Sequence, residues 1–166
     1  ALLVGCSTVP ITGRRQLDLV PDSQIMAMSF DQYSQFLNEN RLSNNAQATN
    51  MVKTVGQRIQ RAVEQYMAQN NMSDQLNGYQ WEFNLVDDPQ VNAWAMPGGK
   101  VVIYSGIMPI VQNEAGLAVV MGHEIAHAIA RHSNERMSQQ LAAQFGGQAL
   151  GAVVSSNPGT ASQLFM

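Results

Sequence analysis

Two histidines and a glutamate occur at a spacing that can bind and use a metal ion. His123, Glu124 and His127 form an HExxH pattern within a stretch whose apolar residues recur at helical spacing. Four residues advance an α-helix by about 400°, so both imidazoles point the same way and can bind one zinc ion. Glu124, about 100° further around than His123, can reach a water molecule there without being a ligand. The motif therefore predicts a zinc-activated water as nucleophile, with Glu124 as general base and acid.

The motif supplies only two of the three protein ligands that a catalytic zinc site needs. Between His127 and Met166 the only side-chain carboxylate is Glu135, which a straight helix would place about 12 Å along the axis, out of reach. The same straight helix would turn His132 away from the metal, as a structural residue or one that supports a ligand. The residues alone therefore leave the third ligand unassigned. Three upstream carboxylates remain open as alternatives: Asp87, Asp88 and Glu114.

A helix surface that carries these residues by chance is the competing interpretation of the motif. The same helical turns contain Met121, Ile125 and Ala128, whose burial would also bury the two histidines and Glu124. Buried ionisable groups need a partner, and a metal ion is one.

The surrounding sequence predicts a mostly helical α+β domain. Helical spacing and capping residues predict helices beginning near residues 21–23 and spanning about 47–69, 107–111, 113–131 and 134–153. Alternating apolar and polar residues predict a strand over 81–85, with further extended pieces over 91–96 and 100–105. These lengths fit a small antiparallel sheet.

The composition excludes several classes of protein. The 166 residues include 45% apolar but only 13% charged side chains, with a net charge of -3, which fits one folded domain and not a disordered charged tail. The 18 glutamines and 13 asparagines keep the surface polar. Without a basic patch, nucleic acid is not an expected partner. A single cysteine excludes an internal disulfide framework.

The N-terminus has the pattern of a lipoprotein signal. The residues Leu3-Val4-Gly5-Cys6 resemble a bacterial lipobox, which predicts that residues 1–6 end a signal peptide and that Cys6 carries the lipid. Residues 7–20 would then be a tether and residues 21–166 the folded domain. An ordinary apolar N-terminus with one free cysteine is the alternative. No other run of about 18 apolar residues occurs, so no transmembrane helix is predicted.

The order of several motifs resembles the M48 family of zinc metallopeptidases, specifically bacterial lipoprotein members related to the mitochondrial inner-membrane quality-control protease and to HtpX/Ste24-type enzymes. Residues 12–17 look like the stretch after the lipidated cysteine in these lipoproteins. Residues 92–99 look like the family's Asn-Ala-Phe-Ala-x-x-Gly-Gly segment, and residues 104–108 and 130–132 flank the HEIAH helix in the family's order.

This resemblance implies a zincin-like (gluzincin) fold in which the segment before the metal helix is a sheet edge that binds substrate as an added strand. An edge strand offers free N–H and C=O groups to an extended peptide, and glycines allow backbone to approach closely. The implied substrate-binding residues are Asn92, Ala93, Trp94, Ala95, Gly98 and Gly99. From the sequence alone, residues 91–99 can equally be an ordinary strand and turn.

The resemblance also implies a third ligand, a glutamate in a downstream Glu-x-x-x-Asp motif. It is therefore expected beyond Met166, and the expected metallopeptidase domain is incomplete at its C-terminus. It implies one zinc ion per site and substrates that are unfolded or misassembled envelope proteins. The lipid on Cys6 would hold the domain on the periplasmic face of a bacterial membrane, and Ser7 after it favours the outer membrane. The alternative function is a non-catalytic lipoprotein: a chaperone-like adaptor, or a pseudo-enzyme with a structural zinc site.

Overall fold

The computed structural model describes residues 6–9 and 13–145. Predictions for residues 1–5 and for the chain beyond residue 145 lie outside the described residues. The helices are α1 (Asp22–Glu39), α2 (Ala46–Gln69), α3 (Met108–Val111), α4 (Glu114–Ile129) and α5 (His132–Phe145). The strands are β1 (Cys6–Thr8), β2 (Arg15–Leu17), β3 (Glu82–Val86), β4 (Ala93–Met96) and β5 (Lys100–Tyr104).

The two long N-terminal helices form where the sequence predicts them. α1 begins directly after Pro21, with the carboxylate of Asp22 in its first turn, where it interacts favourably with the helix dipole. α2 is capped by Asn45, whose side-chain oxygen accepts a hydrogen bond from the Ala48 N–H at 3.0 Å. Both helices carry one apolar stripe, which places them against the sheet.

The central sheet has three strands in the order β3-β5-β4. The prediction of a mostly helical α+β fold with a small sheet is confirmed, but the sheet is mixed and not antiparallel. β4 and β5 form the expected antiparallel hairpin around the Pro97-Gly98-Gly99 turn, whereas β3 pairs parallel to β5. Alternation along a strand identifies the strand but carries no information about its partner, which explains the error.

Helices cover both faces of this sheet. The face towards α2 and α4 forms the main core. It is built from strand residues Phe83, Leu85, Val101 and Ile103 and helix residues Val52, Val55, Leu117, Met121 and Ile125. On the other face, Val102, Tyr104 and Trp94 pack against Tyr33, Phe36 and Leu37 of α1. The sheet is therefore the middle of three layers, with α4 on one side and α1 on the other.

The two edges of the sheet differ. Along β3, the segment 41–43 covers part of the edge: the Ser43 N–H donates to the Leu85 carbonyl at 2.9 Å and the Asp87 N–H to the Arg41 carbonyl at 2.8 Å. Along β4, no strand of the described chain pairs with the outer edge. An unpaired edge can accept another strand.

Much of the predicted tether is folded. β1 and β2 form an antiparallel pair that joins Cys6 to Leu17, and β2 contacts α5. Val9 and Val20 are buried, so the described parts of this segment pack against the rest of the chain. Among the described helices, none combines the length and apolar character needed to cross a bilayer.

Candidate active site

α4 carries the HExxH pattern and is held firmly at its start and along one face. The side chain of Asn113 accepts a hydrogen bond from the Gly116 N–H at 3.0 Å and caps the helix. Arg58 of α2 pairs with Glu114 in the first turn at 3.0 Å. Leu117 and Met121 are completely buried between α2 and the sheet. The helix therefore presents a fixed backbone from which the motif side chains project.

The two histidines of the motif meet on the exposed side of α4. The Nε2 atoms of His123 and His127 lie 3.0 Å apart, and their rings cross nearly at right angles with centroids 4.4 Å apart. Two nitrogens that bind one tetrahedral zinc ion at 2.0–2.1 Å would lie about 3.3 Å apart. The observed pair needs only a few tenths of an ångström to accept the ion, so the residues fit zinc.

The described residues do not complete a three-ligand site. No group of three or more histidine, cysteine, aspartate or glutamate side chains in the described chain is placed to hold a metal ion. Two upstream candidates have other partners: Glu114 pairs with Arg58 and Asp87 with Arg41. Asp88 accepts a hydrogen bond from the Gln90 N–H at 2.8 Å. The third ligand thus remains a prediction for residues beyond Met166.

His132 was predicted to face away from the metal, as a structural residue or one that supports a ligand, but the straight helix on which that prediction was based does not form. α4 ends at Ile129, and Arg131 adopts a left-handed conformation with φ of 57° before α5 begins at His132. This break folds His132 back, so that its Nδ1 lies 2.5 Å from the Nδ1 of His127. Burial lowers the pKa of His132, and electrostatic interactions with His127 and Arg14 lower it further.

Glu135, in the first turn of α5, is engaged by the N-terminal segment and not by the motif. Arg14 donates to both carboxylate oxygens, one of them at 2.7 Å. This hydrogen-bonded guanidinium holds the pKa of Glu135 below its usual value. Glu135 is therefore already neutralised by a cation, which agrees with its exclusion as a metal ligand.

Glu124 is half-buried beside the histidine pair. No residue that the structure describes hydrogen-bonds to its carboxylate, so the group is available to accept a proton. One turn before His123, Val119 is 74% exposed on the same side of the helix. Val119 was not predicted as a site residue, although a four-residue step from His123 identifies it as a neighbour of the motif. An apolar side chain exposed there can contact an apolar group of a bound peptide.

β4 supplies an open sheet edge beside α4, the helix against which it packs. The Tyr104 N–H donates to the Asn92 carbonyl at 3.1 Å, so the backbone of every second residue from Asn92 points towards β5. The backbone of Ala93 and Ala95 must then point to the outer edge. The side-chain oxygen of Asn92 occupies the Ala93 N–H at 2.9 Å, which leaves the Ala95 N–H as the exposed donor.

The other residues predicted to bind substrate have structural contacts. Trp94 packs edge-on against Phe36, with ring centroids 5.0 Å apart. Gly98 and Gly99 are buried and have φ values of 86° and 85°. A side chain at Gly98 would overlap the Phe30 ring, so this glycine allows Phe30 to approach the backbone closely.

Comparison with known proteins places the chain in a family. Residues 54–164 match the model of peptidase family M48. The mitochondrial metalloendopeptidase OMA1 of Schizosaccharomyces pombe is 34% identical over 132 residues, which cover 78% of this chain and 36% of that protein. OMA1 of Saccharomyces cerevisiae is 48% identical over 66 residues, 39% of this chain and 19% of that protein. The beta-barrel assembly-enhancing protease of Yersinia pestis is 42% identical over 60 residues, 36% of this chain and 12% of that protein.

This chain therefore spans little more than a third of the S. pombe protein. The family match begins within α2, continues through the sheet and includes the whole of α4. Because this match covers about two thirds of the chain, and because the histidine pair and open edge lie inside it, the chain belongs to peptidase family M48.

Proposed function

We propose that this chain is part of a zinc-dependent metalloendopeptidase that cleaves unfolded or misassembled proteins of the bacterial cell envelope. One observation carries the proposal: the Nε2 atoms of His123 and His127 converge to 3.0 Å on the exposed side of a helix whose opposite side is buried. The printed names of the relatives, metalloendopeptidase and protease, support the same activity.

In this proposal His123 and His127 hold one zinc ion, and a third ligand from beyond Met166 completes the site. A zinc ion supplies Lewis acidity, which makes water more acidic and a peptide carbonyl more electrophilic. Glu124, which follows His123 directly, accepts the proton of the attacking water. It then returns that proton to the leaving amine, so the carboxylate is regenerated at the end of each cycle.

The substrate would bind as an extended strand along the outer edge of β4. The outward groups of Ala93 and Ala95 provide backbone hydrogen bonds that are indifferent to the peptide's sequence. A bound peptide would have to compete with Asn92 for the Ala93 N–H, because the Asn92 side chain already accepts a hydrogen bond from it. Recognition through backbone favours chains that are locally unfolded, since a folded substrate has already paired its own N–H and C=O groups.

We further propose that Cys6 carries the lipid that holds the protein on the periplasmic face of the membrane, with Ser7 favouring the outer membrane. The lipobox-like residues 3–6 support this location. The Yersinia pestis relative is named for β-barrel assembly, whereas the OMA1 relatives are named as mitochondrial. Metabolic labelling with a radioactive fatty acid, compared with Cys6→Ala, tests the anchor separately from the chemistry.

The activity is tested by zinc-dependent degradation of casein, with Glu124→Gln as the matched control. This variant keeps the shape of the side chain and removes the base. We expect cleavage by the wild type, inhibition by a chelator, and loss of at least about 100-fold in rate for Glu124→Gln. If the chain is inactive, the same comparison is repeated with a chain extended past Met166. Equal cleavage by wild type and variant would refute the proposed mechanism. Inactivity of both lengths would favour the non-catalytic adaptor.

A further inference from the structure

The contact between His127 and His132 has a chemical consequence for the metal site. Two ring nitrogens 2.5 Å apart must share a hydrogen bond, so one of them carries a proton and the other is bare. The contact uses the Nδ1 atom of each ring. The Nε2 of His127 is directed to the opposite side, towards His123. His132 therefore touches the one nitrogen of His127 that the metal does not need.

We propose that His132 is a positioning residue that holds His127 in the tautomer able to bind metal. A neutral imidazole has one protonated and one bare nitrogen, and the metal requires the bare one. If His132 accepts the proton of the His127 Nδ1, the Nε2 of His127 is left bare and aimed at the site. This inference rests on the proposed function, because it treats His127 as a ligand, but its first test is made on metal-free protein.

The position of His132 depends on the break between α4 and α5. Arg131, the residue at the break, has a left-handed backbone with φ of 57°, a conformation that residues other than glycine rarely adopt. Its side chain is held by Asp22 at 2.5 Å, by Gln75 at 3.0 Å and by Asp18 at 3.6 Å. These partners come from distant parts of the chain, so tertiary contacts keep the break in place.

The N-terminal strap, residues 13–22, also holds α5. Arg14 binds both carboxylate oxygens of Glu135, one turn after His132. Further along, the Leu19 N–H donates to the buried hydroxyl of Ser138 at 3.0 Å. Since the strap is bonded to two successive turns of α5, it fixes the first turn of that helix. Arg14 is thus the residue that holds the strap on the first turn of α5, where His132 lies.

The first test reads the tautomer directly in metal-free protein. The chain contains only three histidines, so a nitrogen-15 NMR spectrum of the imidazoles at about pH 8, where free histidine is neutral, resolves each ring. We expect His127 to be protonated at Nδ1 in the wild type and to become a mixture of tautomers in His132→Ala. His132→Asn, whose side-chain oxygen can accept the same proton, should restore part of the wild-type population. An unchanged tautomer in His132→Ala would overturn the proposal.

The second test measures zinc affinity by competition with a chromophoric chelator. Loss of a residue that orients a ligand costs about 10–100-fold in metal affinity, so we expect that loss for His132→Ala and a smaller one for His132→Asn. Arg14→Ala should also weaken zinc binding, whereas Arg15→Ala, which removes the same charge from the adjacent exposed position, should not. Equal zinc affinities of Arg14→Ala and Arg15→Ala would show that the N-terminal strap does not help to position His132.

Neither test requires turnover, which separates this inference from the proposed function. A protein that fails to cleave casein but shows a tautomer change in His132→Ala retains the inference and loses the enzyme assignment. A protein that cleaves through Glu124 but shows no change in tautomer or zinc affinity for His132→Ala retains the enzyme assignment and loses the inference. Circular dichroism of each variant shows whether it is folded. If His132→Ala does not fold, His132→Asn still tests the proposal.

Discussion

Replacing Ala95 with proline should weaken peptide binding without disturbing the sheet. The antiparallel register directs the Ala95 N–H away from β5 and towards the open edge. Proline lacks this donor, and an edge strand tolerates proline where its N–H faces outward. The preceding residue, Trp94, is already extended in β4, which is the conformation that a following proline requires. Ala95→Pro therefore removes one group that only an added strand would use.

The expected size of the effect follows from a single hydrogen bond. A backbone hydrogen bond contributes a net 0.5–1.5 kcal/mol, roughly, which corresponds to a rise of about 2- to 13-fold in the peptide Kd. Stability should change little, because the bonds between β4 and β5 are retained.

Fluorescence anisotropy with a labelled, extended casein peptide measures this Kd, in a Glu124→Gln background so that the peptide remains intact. Ala95→Val is the matched control, since it enlarges the side chain but keeps the N–H. A Kd for Ala95→Pro equal to that of the parent would refute edge-strand binding. Equal losses in Ala95→Pro and Ala95→Val would show that the side chain and not the donor matters.

Three further predictions concern stability. In Gly56→Ala the new methyl group would lie 2.4 Å from the Phe83 ring, so overpacking should outweigh the gain in helix propensity and lower the free energy of unfolding by about 1–2 kcal/mol. In Gly122→Ala the methyl group meets no atom within 4 Å, so urea denaturation should show a gain of about 0.5–1 kcal/mol; a loss there would contradict the open surface around Gly122. Arg14 lowers the pKa of Glu135. Their ion pair therefore stabilises the fold at pH values above the usual pKa of glutamate, and this stabilisation is lost as the pH falls through the lowered pKa. The difference in urea midpoint between wild type and Arg14→Ala should therefore disappear in acid, and a constant difference would count against the pair.

The sequence predicted α4 well because its signals are local. Apolar residues repeat at helical spacing, and Asn113 stands where a cap is needed. The end of the helix was predicted two residues late. No glycine marks it, and the left-handed Arg131 is stabilised by Asp18 and Asp22, which lie more than a hundred residues away in the chain. A local pattern cannot report such contacts, and the error carried over to the predicted direction of His132.

The open edge could be predicted only in part. The motif over residues 92–99 identified the correct segment, and alternation identified a strand. The outward direction of Ala93 and Ala95 depends on their pairing with β5, which the sequence does not specify. Similarly, the two glycines indicated a place where something approaches the backbone closely. Only the structure shows that Phe30 and Trp81 make that approach, from α1 and from the segment before β3.

The histidine pair was predicted correctly from its four-residue spacing, but the argument against a chance helix surface does not hold. That argument was that Met121, Ile125 and Ala128 bury the motif, because buried ionisable groups need a partner. Those three residues are buried, but they occupy the opposite side of α4, and both histidines are exposed. What favours a metal ion is the convergence of two Nε2 atoms to 3.0 Å, since bare nitrogens repel one another unless a proton or a cation lies between them. A proton joins the rings only while one of them donates. With a zinc ion bound, the lone pairs of both Nε2 atoms would be satisfied at once. Each Nδ1 would be left free to be set by a neighbour, which is the role proposed for His132 at His127.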